Sequence, residues 1–408
     1  MPILTSLADL KPGMCLSSNI VNKYSVLLPK GHELTEKDIA TLANLIPNQD
    51  VHVFDPDLDG IVDFEDVTHA QTVSRIVREK STTVIDKVAM VVRSGKSLSH
   101  GNVAEMKKTI RDSIRYLTEN SVTMALVEQS KNWENYLQEH SSNVFYLSLL
   151  IGNKVGNYIK NERERLSAAS YVHNWTDLTP LGTAALFHDI GMVPLSYLYH
   201  KDGILTETEK EMLRLHPHTG AKMLPDSISP MVRLSVRDHH ENYKGTGYPD
   251  GLPGESVGIF SRVIRIADAY CSATADRAGY KGRLEALVLY EMLYGECRQF
   301  YDPELLAVFG SLMPPFPIGA KLKLQDGRYA VVVRHNEKSP FQPQVIIAFA
   351  DFNRQLPKDQ IEPPFYMGDR KNVKISSFAG EDLSFLNESV YDIPSEPKYD
   401  KVLNFSYP

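Results

Sequence analysis

Seven candidate metal-binding side chains stand out by their context within residues 140–268, several of them inside apolar stretches. They are His140 in YLQEHSSNVFYLSLL, His188 and Asp189 in AALFHDIG, His216 in LHPHTG, His239 and His240 in VRDHHENY, and Asp268 in VIRIADAY. A charged residue inside an apolar helical stretch costs free energy unless it is paired, so Asp189 and Asp268 need partners. Metal ions would supply those partners, and imidazole and carboxylate ligands suit iron, manganese or zinc.

The order of these residues resembles that of the HD-GYP family of cyclic dinucleotide phosphodiesterases. The sequence GTGYP at residues 245–249 follows the paired histidines, and HPHTGAKML, RVIRIADAY and QFYDPELL complete the pattern. The resemblance covers roughly residues 130–313, and its motifs are specific in combination, whereas an HD pair alone would be a weak signal. It implies an all-helical HD-type metallohydrolase domain whose metal ligands are His140, His188, Asp189, His216, His239, His240 and Asp268.

The resemblance also implies how these ligands act. Asp189 would bridge two divalent ions, with iron or manganese as the first candidates and zinc as the alternative, and Asp189 and His188 would be catalytic. Two ions about 4 Å apart acidify a bridging water and clamp the oxygens of a phosphodiester. The expected reaction is hydrolysis of a cyclic dinucleotide, foremost cyclic di-GMP to linear pGpG, in a signalling role. Cyclic GMP-AMP is an alternative substrate, because the family's loop reads phosphates and purine faces more plainly than exocyclic groups.

A second set of residues is expected to bind the substrate. Glycine lets the backbone approach a ligand closely, a tyrosine ring can stack on a purine, and arginines can neutralise phosphates. The set consists of Lys244, Gly247, Tyr248, Pro249, Arg262, Arg265 and Arg277. The glycines and proline can equally form a turn without any ligand, and at least one arginine is expected to be only a surface charge.

Three positions depart from the family pattern. Met192 stands where the family usually has a lysine, and this removes a charge from the phosphate site unless Lys244, Lys201 or an arginine compensates. A receptor that binds the nucleotide but turns it over weakly is therefore the alternative to an enzyme. Members with a third metal have carboxylates where this chain has Tyr136 and Cys271, so two ions are expected. We expect Cys271 to be a small buried residue, with a thiolate ligand as the alternative.

The composition argues against a general nucleic-acid binder. The chain has 408 residues, 42% of them hydrophobic, and a net charge of −7, which disfavours DNA and anionic membranes as partners. Its three cysteines lack paired spacing and suit a reducing compartment. No run approaches the 18 or so uncharged apolar residues of a membrane span. We therefore expect a cytoplasmic protein without membrane insertion, and a homodimer or a signalling-protein partner stays open.

The residue pattern predicts a mainly α fold in four regions. They are a small α/β module over residues 1–66, a helical linker region over 67–130, the HD-GYP domain over 131–313, and a small β-rich region with a tail over 314–408. A hairpin is expected around Asp326 and Gly327. Residues 55–66 resemble the start of an EF-hand calcium loop, but Asp66 replaces the glutamate and Pro56 is awkward there, so an acidic loop is favoured.

Overall fold

The structure is a computed structural model that divides into two compact units, one formed by Met1–Thr68 with Pro314–Ser395 and the other containing His69–Met313. Residues near the two ends of the chain thus cluster in one unit, a grouping that the sequence did not indicate. The structure describes residues 2–5, 7, 10–16, 19–21, 26–29, 31–45, 51–54, 58, 61–63, 65–96, 98–127, 136–166, 177–201, 205–276 and 280–389.

The N-terminal part of the first unit combines short antiparallel strands with one helix, as its sequence predicts. Its elements are β1 Pro2–Thr5, β2 Cys15–Leu16, β3 Ile20–Val21, β4 Val26–Leu28, α1 Glu36–Leu45 and β5 Val51–Phe54. Strand β5 lies between β1 and β2, and β3 pairs with β4. Helix α1 starts at a reciprocal cap, in which the Asp38 backbone N–H donates to Thr35 Oγ1 and the Thr35 backbone N–H donates to Asp38 Oδ2. Half of the EF-hand-like stretch, residues 55–57, 59, 60 and 64, lies outside the described residues.

The second unit is built from helices, the first of which begins at Glu65, four residues before the unit's boundary. They are α2 Glu65–Arg93, α3 His100–Glu119, α4 Tyr136–Lys154, α5 Gly156–Leu166, α6 Thr179–Phe187, α7 Ser196–Tyr199, α8 Glu207–Arg214, α9 His216–Met223, α10 Pro230–Arg237, α11 Ile259–Thr274, α12 Glu285–Tyr294 and α13 Pro303–Leu312. Short 3₁₀ helices occupy Ile190–Leu195, Gly254–Ser256 and Glu296–Phe300. Within the described ranges, no helix is both long and apolar enough to cross a membrane.

The core of this unit surrounds α4 and α11. Both helices are buried along nearly their whole length, and they pack on each other while α4 also packs on α6. Helix α10 packs on α6 and α9. A helix that is apolar on all sides belongs in a protein interior, so polar residues on α4 and α11 need a specific reason to be there. The expected mainly α fold class is confirmed.

The C-terminal part of the first unit is a sheet, which confirms the expected small β-rich region. Its elements are β6 Lys321–Leu324, β7 Tyr329–Arg334, β8 Gln344–Asp351, β9 Arg354–Gln355, β10 Phe365–Tyr366, β11 Ile375–Phe378, β12 Glu381–Asp382 and α14 Leu386–Ser389. The strand order is β10-β8-β7-β6-β11-β12, with β9 beside β8. Strands β6 and β7 form the hairpin expected around Gly327, whose φ of 90° suits a residue without Cβ.

Candidate metal and substrate site

Five separate segments of the helical unit bring the seven candidate ligands together. His140 comes from α4, His188 and Asp189 follow α6, His216 begins α9, His239 and His240 follow α10, and Asp268 lies on α11. All seven side chains are buried. Two overlapping groups have ligand atoms close enough together to hold a metal ion. One group is His140, His188 and Asp189, and the other is Asp189, His216, His239 and His240, so Asp189 belongs to both. The structure therefore brings together, in one cluster, the seven residues that the family resemblance implies as ligands.

The carboxylate of Asp189 divides its two oxygens between the groups. Asp189 Oδ2 lies 3.5 Å from His140 Nε2 and 3.4 Å from His188 Nε2. Asp189 Oδ1 lies 3.0 Å from His216 Nε2 and 3.6 Å from His239 Nε2. One carboxylate between two sets of imidazoles has the arrangement of a bridging ligand for two cations.

Asp268 and His240 complete the two groups. Asp268 Oδ1 lies 3.1 Å from His140 Nε2, and Asp268 Oδ2 lies 3.6 Å from His240 Nδ1. His240 Nε2 is 3.2 Å from His216 Nε2. Asp268 is therefore the carboxylate on the side of His140, while His240 lies between that carboxylate and His216.

The separations between imidazole nitrogens fit ligands of a shared ion. His188 Nε2 is 3.2 Å from His140 Nε2, and His216 Nε2 is 3.3 Å from His239 Nε2. Two nitrogens bound at about 2.1 Å to one ion lie roughly 3.0 Å apart at a right angle and about 3.4 Å apart at the tetrahedral angle. The observed values fall between these limits, so the residues present fit divalent metal ions.

Backbone carbonyls orient three of the imidazoles. The ring Nδ1 atoms of His188, His216 and His239 lie 2.8, 2.6 and 2.7 Å from carbonyl oxygens three residues earlier in the chain. A carbonyl only accepts, so each Nδ1 carries the proton and each Nε2 is left with its lone pair when the ring is neutral. Each of these three histidines follows the end of a helix, where carbonyls lack intrahelical partners.

The electrostatics of the cluster keep both carboxylates ionised. Burial opposes ionisation, but the charge of His188 and hydrogen bonds from neighbouring imidazoles hold the pKa of Asp189 well below its usual value. Burial also opposes the ionisation of Asp268, but a hydrogen bond from His140 together with the nearby imidazoles holds its pKa well below the usual value. Burial lowers the pKa of His239 and of His240, which keeps these rings neutral. Neutral imidazoles beside ionised carboxylates are the protonation states that bind metal.

Gly191 and Met192 belong to the 3₁₀ helix that follows Asp189. A Cβ at Gly191 would lie 2.0 Å from the His216 carbonyl oxygen and 2.7 Å from the Gly220 nitrogen, so only glycine lets α9 approach this closely. The Met192 backbone N–H donates to the Asp189 carbonyl, and its side chain is buried. The glycine thus brings His216 up to Asp189, while Met192 offers no charge.

The GTGYP loop folds back over the paired histidines. A Cβ at Gly247 would lie 2.4 Å from the His240 carbonyl oxygen. The ring of Tyr248 stacks on that of His240 with 4.7 Å between centroids, and it precedes a cis peptide bond to Pro249. One face of Tyr248 is therefore covered by a candidate ligand instead of being open to a purine. Whether Gly247, Tyr248 and Pro249 contact the substrate stays a prediction.

Glu241 fixes the rest of this loop, and the sequence reasoning missed it. Its buried carboxylate accepts hydrogen bonds from the backbone N–H groups of Asp250, Gly251 and Leu252, at 2.6, 3.0 and 2.9 Å. Loop N–H groups that lack helix or strand partners need acceptors. A glutamate directly before a glycine-rich loop was the available signal.

The expected cationic residues have different surroundings. Arg262 is buried and binds the carboxylates of Glu162 and Asp302, so its guanidinium is committed to protein partners and its expected role in substrate binding gains no support. Arg265 has a nitrogen 4.0 Å from Asp268 Oδ2, at the edge of the cluster. Lys244 is exposed on the loop. Arg277 lies outside the described residues, and its role stays a prediction.

Three other positions clarify the departures from the family pattern. Lys201 donates to both oxygens of Glu209 at 2.7 Å, so it is already paired. Tyr136 stacks on His140 with the ring planes 15° apart and gives no carboxylate. Cys271 is buried, and burial raises the pKa of its thiol well above the usual value, so a neutral side chain is favoured.

Comparison with known proteins shows which domain family this region resembles. Residues 150–305 match the family model described as an HD domain, and this range holds six of the seven clustered residues, all except His140. Residues 150–305 are therefore similar to HD domains, and the resemblance to the HD-GYP family is confirmed.

Curated relatives match part of the chain. It is 34% identical over 172 residues to the cyclic di-GMP phosphodiesterase PA4108 of Pseudomonas aeruginosa, covering 41% of each protein. It is 28% identical over 213 residues to the cyclic di-GMP phosphodiesterase PdeB of Borreliella burgdorferi, covering 52% of each. A 3'3'-cGAMP-specific phosphodiesterase of Vibrio cholerae is 29% identical over 140 residues, 34% of this chain and 30% of that protein. The matches thus span about half the length of these relatives or less.

Proposed function

We propose that this protein is a metal-dependent phosphodiesterase that opens a cyclic dinucleotide to its linear form. The observation that carries the proposal is the division of the Asp189 oxygens between two groups of buried histidines. An ion pair with a purely structural role would need only one contact between the Asp189 carboxylate and a histidine. A carboxylate that lies between two groups of imidazoles suits two cations. The names of the relatives support the same reaction class.

Each ligand has a proposed place. His140, His188 and Asp268 would hold one ion, His216, His239 and His240 would hold the other, and Asp189 would serve both. Iron or manganese is proposed first and zinc second, because imidazoles and carboxylates accept all three. Divalent ions here would supply Lewis-acid catalysis and acidify water.

The chain's own groups prepare the reaction. The carbonyls behind His188, His216 and His239 hold the rings in fixed orientations, so little reorganisation accompanies substrate binding. Hydrolysis adds a water oxygen to phosphorus and breaks the bond between phosphorus and the 3′ oxygen, which takes up a proton. The product is a linear dinucleotide with a 5′ phosphate, which for cyclic di-GMP is pGpG.

Cyclic di-GMP is the proposed substrate, since two of the relatives named above are cyclic di-GMP phosphodiesterases. Cyclic GMP-AMP is the second candidate, because another relative is specific for 3'3'-cGAMP. A cytoplasmic location is proposed with either substrate, and the free state of the three cysteines is compatible with a reducing compartment.

A weak receptor is the competing function, and Met192 is the observation that favours it. This buried apolar side chain provides no cation for a phosphate. The complete ligand cluster argues for the enzyme, since nucleotide binding alone does not require a carboxylate between two histidine groups.

Product analysis decides between these functions. Protein loaded with manganese or ferrous iron is incubated separately with cyclic di-GMP and cyclic GMP-AMP, and the products are separated by chromatography. The proposal predicts linear pGpG from cyclic di-GMP as the faster reaction. Binding of the nucleotide without any linear product would establish the receptor instead, and faster opening of cyclic GMP-AMP would correct the substrate.

A further inference from the structure

Arg214 lies beside the GTGYP loop and was not singled out by its sequence context. It is the last residue of α8 and is exposed, and the carbonyl of the preceding Leu213 accepts the hydrogen bond from His216 Nδ1. The guanidinium carbon of Arg214 lies over the Tyr248 ring, 5.9 Å from its centroid. The main chain beside Arg214 thus orients His216. The side chain of Arg214 lies near Tyr248, the ring that covers His240.

The stack of Tyr248 on His240 determines where Arg214 lies. Rings with centroids 4.7 Å apart leave no space for a guanidinium between them, so Arg214 covers the opposite face of Tyr248. One tyrosine ring therefore separates the guanidinium from a candidate metal ligand. A purine could stack on Tyr248 only by displacing Arg214.

Among the described residues Arg214 has no carboxylate partner, in contrast to Arg262, Lys201 and Arg265. Arg262 binds Glu162 and Asp302, Lys201 binds Glu209, and Arg265 approaches Asp268. For Arg214, the part of the chain that the structure describes shows no ion pair within 4.0 Å. Its contact with an aromatic ring limits its freedom without neutralising its charge.

We propose that Arg214 binds the second phosphate of the cyclic dinucleotide, the one that is not cleaved. This inference rests on the proposed function, because it assumes that the scissile phosphate lies at the histidine and aspartate cluster. A cyclic dinucleotide carries two phosphates, and only one can be there. An uncommitted guanidinium one ring away is suited to the other, since its planar fork donates two hydrogen bonds to phosphate oxygens.

This role predicts a particular kinetic pattern. A contact with the unreacting phosphate is the same in the bound substrate and in the transition state, so its loss should raise KM and leave kcat almost unchanged. A simple phosphodiester such as bis(4-nitrophenyl) phosphate has no second phosphate. Its hydrolysis should therefore not depend on Arg214.

The experiment compares Arg214→Gln, Arg214→Lys and wild type, each as the full metal-loaded chain with its metal content measured. Lys210→Gln is the matched control, because Lys210 lies one turn earlier on α8 and pairs with the exposed Glu207. Steady-state kinetics are measured with cyclic di-GMP and with bis(4-nitrophenyl) phosphate. The dissociation constant of a hydrolysis-resistant phosphorothioate analogue of cyclic di-GMP is measured independently of turnover.

The expected result is an increase of about tenfold in KM and in the dissociation constant for Arg214→Gln, as for the loss of one charge-assisted hydrogen bond. The KM and dissociation constant of Arg214→Lys should lie between those of Arg214→Gln and wild type, and those of Lys210→Gln should equal the wild-type values. Unchanged dinucleotide affinity in Arg214→Gln would overturn the inference, as would metal loss or an equal loss of activity on both substrates. If wild type cleaves no dinucleotide, the proposed function fails, and the analogue's dissociation constants alone still decide the role of Arg214.

Discussion

Replacing Gly191 by alanine should separate His216 from Asp189 and weaken metal binding. The added Cβ would lie 2.0 Å from the His216 carbonyl oxygen and 2.7 Å from the Gly220 nitrogen. Nonbonded carbon contacts are normally about 3.5 to 4.0 Å, so the backbone must move by roughly 1 Å or more. Both atoms belong to the main chain of α9, which means that no side-chain rotation relieves the clash.

The displacement matters because it falls on a ligand. His216 Nε2 lies 3.0 Å from Asp189 Oδ1. Metal sites tolerate deviations of only about 0.2 Å in ligand distances, so a shift of this size should reduce metal affinity at least as much as the 10- to 100-fold typical of lost outer-shell partners. Overpacking should also destabilise the fold by about 1 to 3 kcal/mol.

The assay is metal content by elemental analysis together with thermal unfolding, with and without added manganese. Gly156→Ala is the matched control, since a Cβ there meets nothing within 4 Å. This control should retain metal and be at least as stable as wild type, because alanine favours helix over glycine. A Gly191→Ala protein that keeps its full metal content would refute the reasoning about α9.

Three further predictions concern the cluster and its neighbours. Asp189→Ala should lose metal and hydrolysis together, because one carboxylate serves both groups, and retained activity measured by product formation would contradict this. Met192→Lys should raise turnover by about tenfold, equivalent to ~1.4 kcal/mol of barrier, with metal content unchanged; equal turnover in both forms would show that position 192 does not act on the phosphates. Burial tends to lower the pKa of His188, but the charge of Asp189 outweighs burial and raises this pKa to about 9 in the metal-free protein. The stability contributed by this proton is complete below pH 6.5 and is lost as the pH rises through 9. The Tm of chelator-treated protein should therefore decrease between pH 6.5 and 9. A Tm that does not change over this range would contradict the coupling between His188 and Asp189.

The resemblance to the HD-GYP family, which rests on residue types and their order, was sufficient to predict which seven side chains cluster. The helical unit and the hairpin at Gly327 follow equally from local pattern and turn chemistry. These features depend on short stretches of chain whose signal is independent of the tertiary fold.

The sequence could not show which charges neutralise one another. Arg262 pairs with Glu162 and Asp302, which are 100 and 40 residues distant in the chain. Such pairs depend on which helices meet, and no local periodicity encodes that. The place of Arg214 over Tyr248 depends in the same way on how α8 meets the GTGYP loop.

The number of metal ions per chain tests the central claim most directly. Elemental analysis of protein purified with excess manganese or iron, and then freed of loosely bound ions, should give about two ions per chain, since Asp189 joins two ligand groups and neither Tyr136 nor Cys271 provides a third-site carboxylate. A single ion in fully loaded wild type would contradict the bridging role of Asp189, and three ions would contradict the dinuclear site.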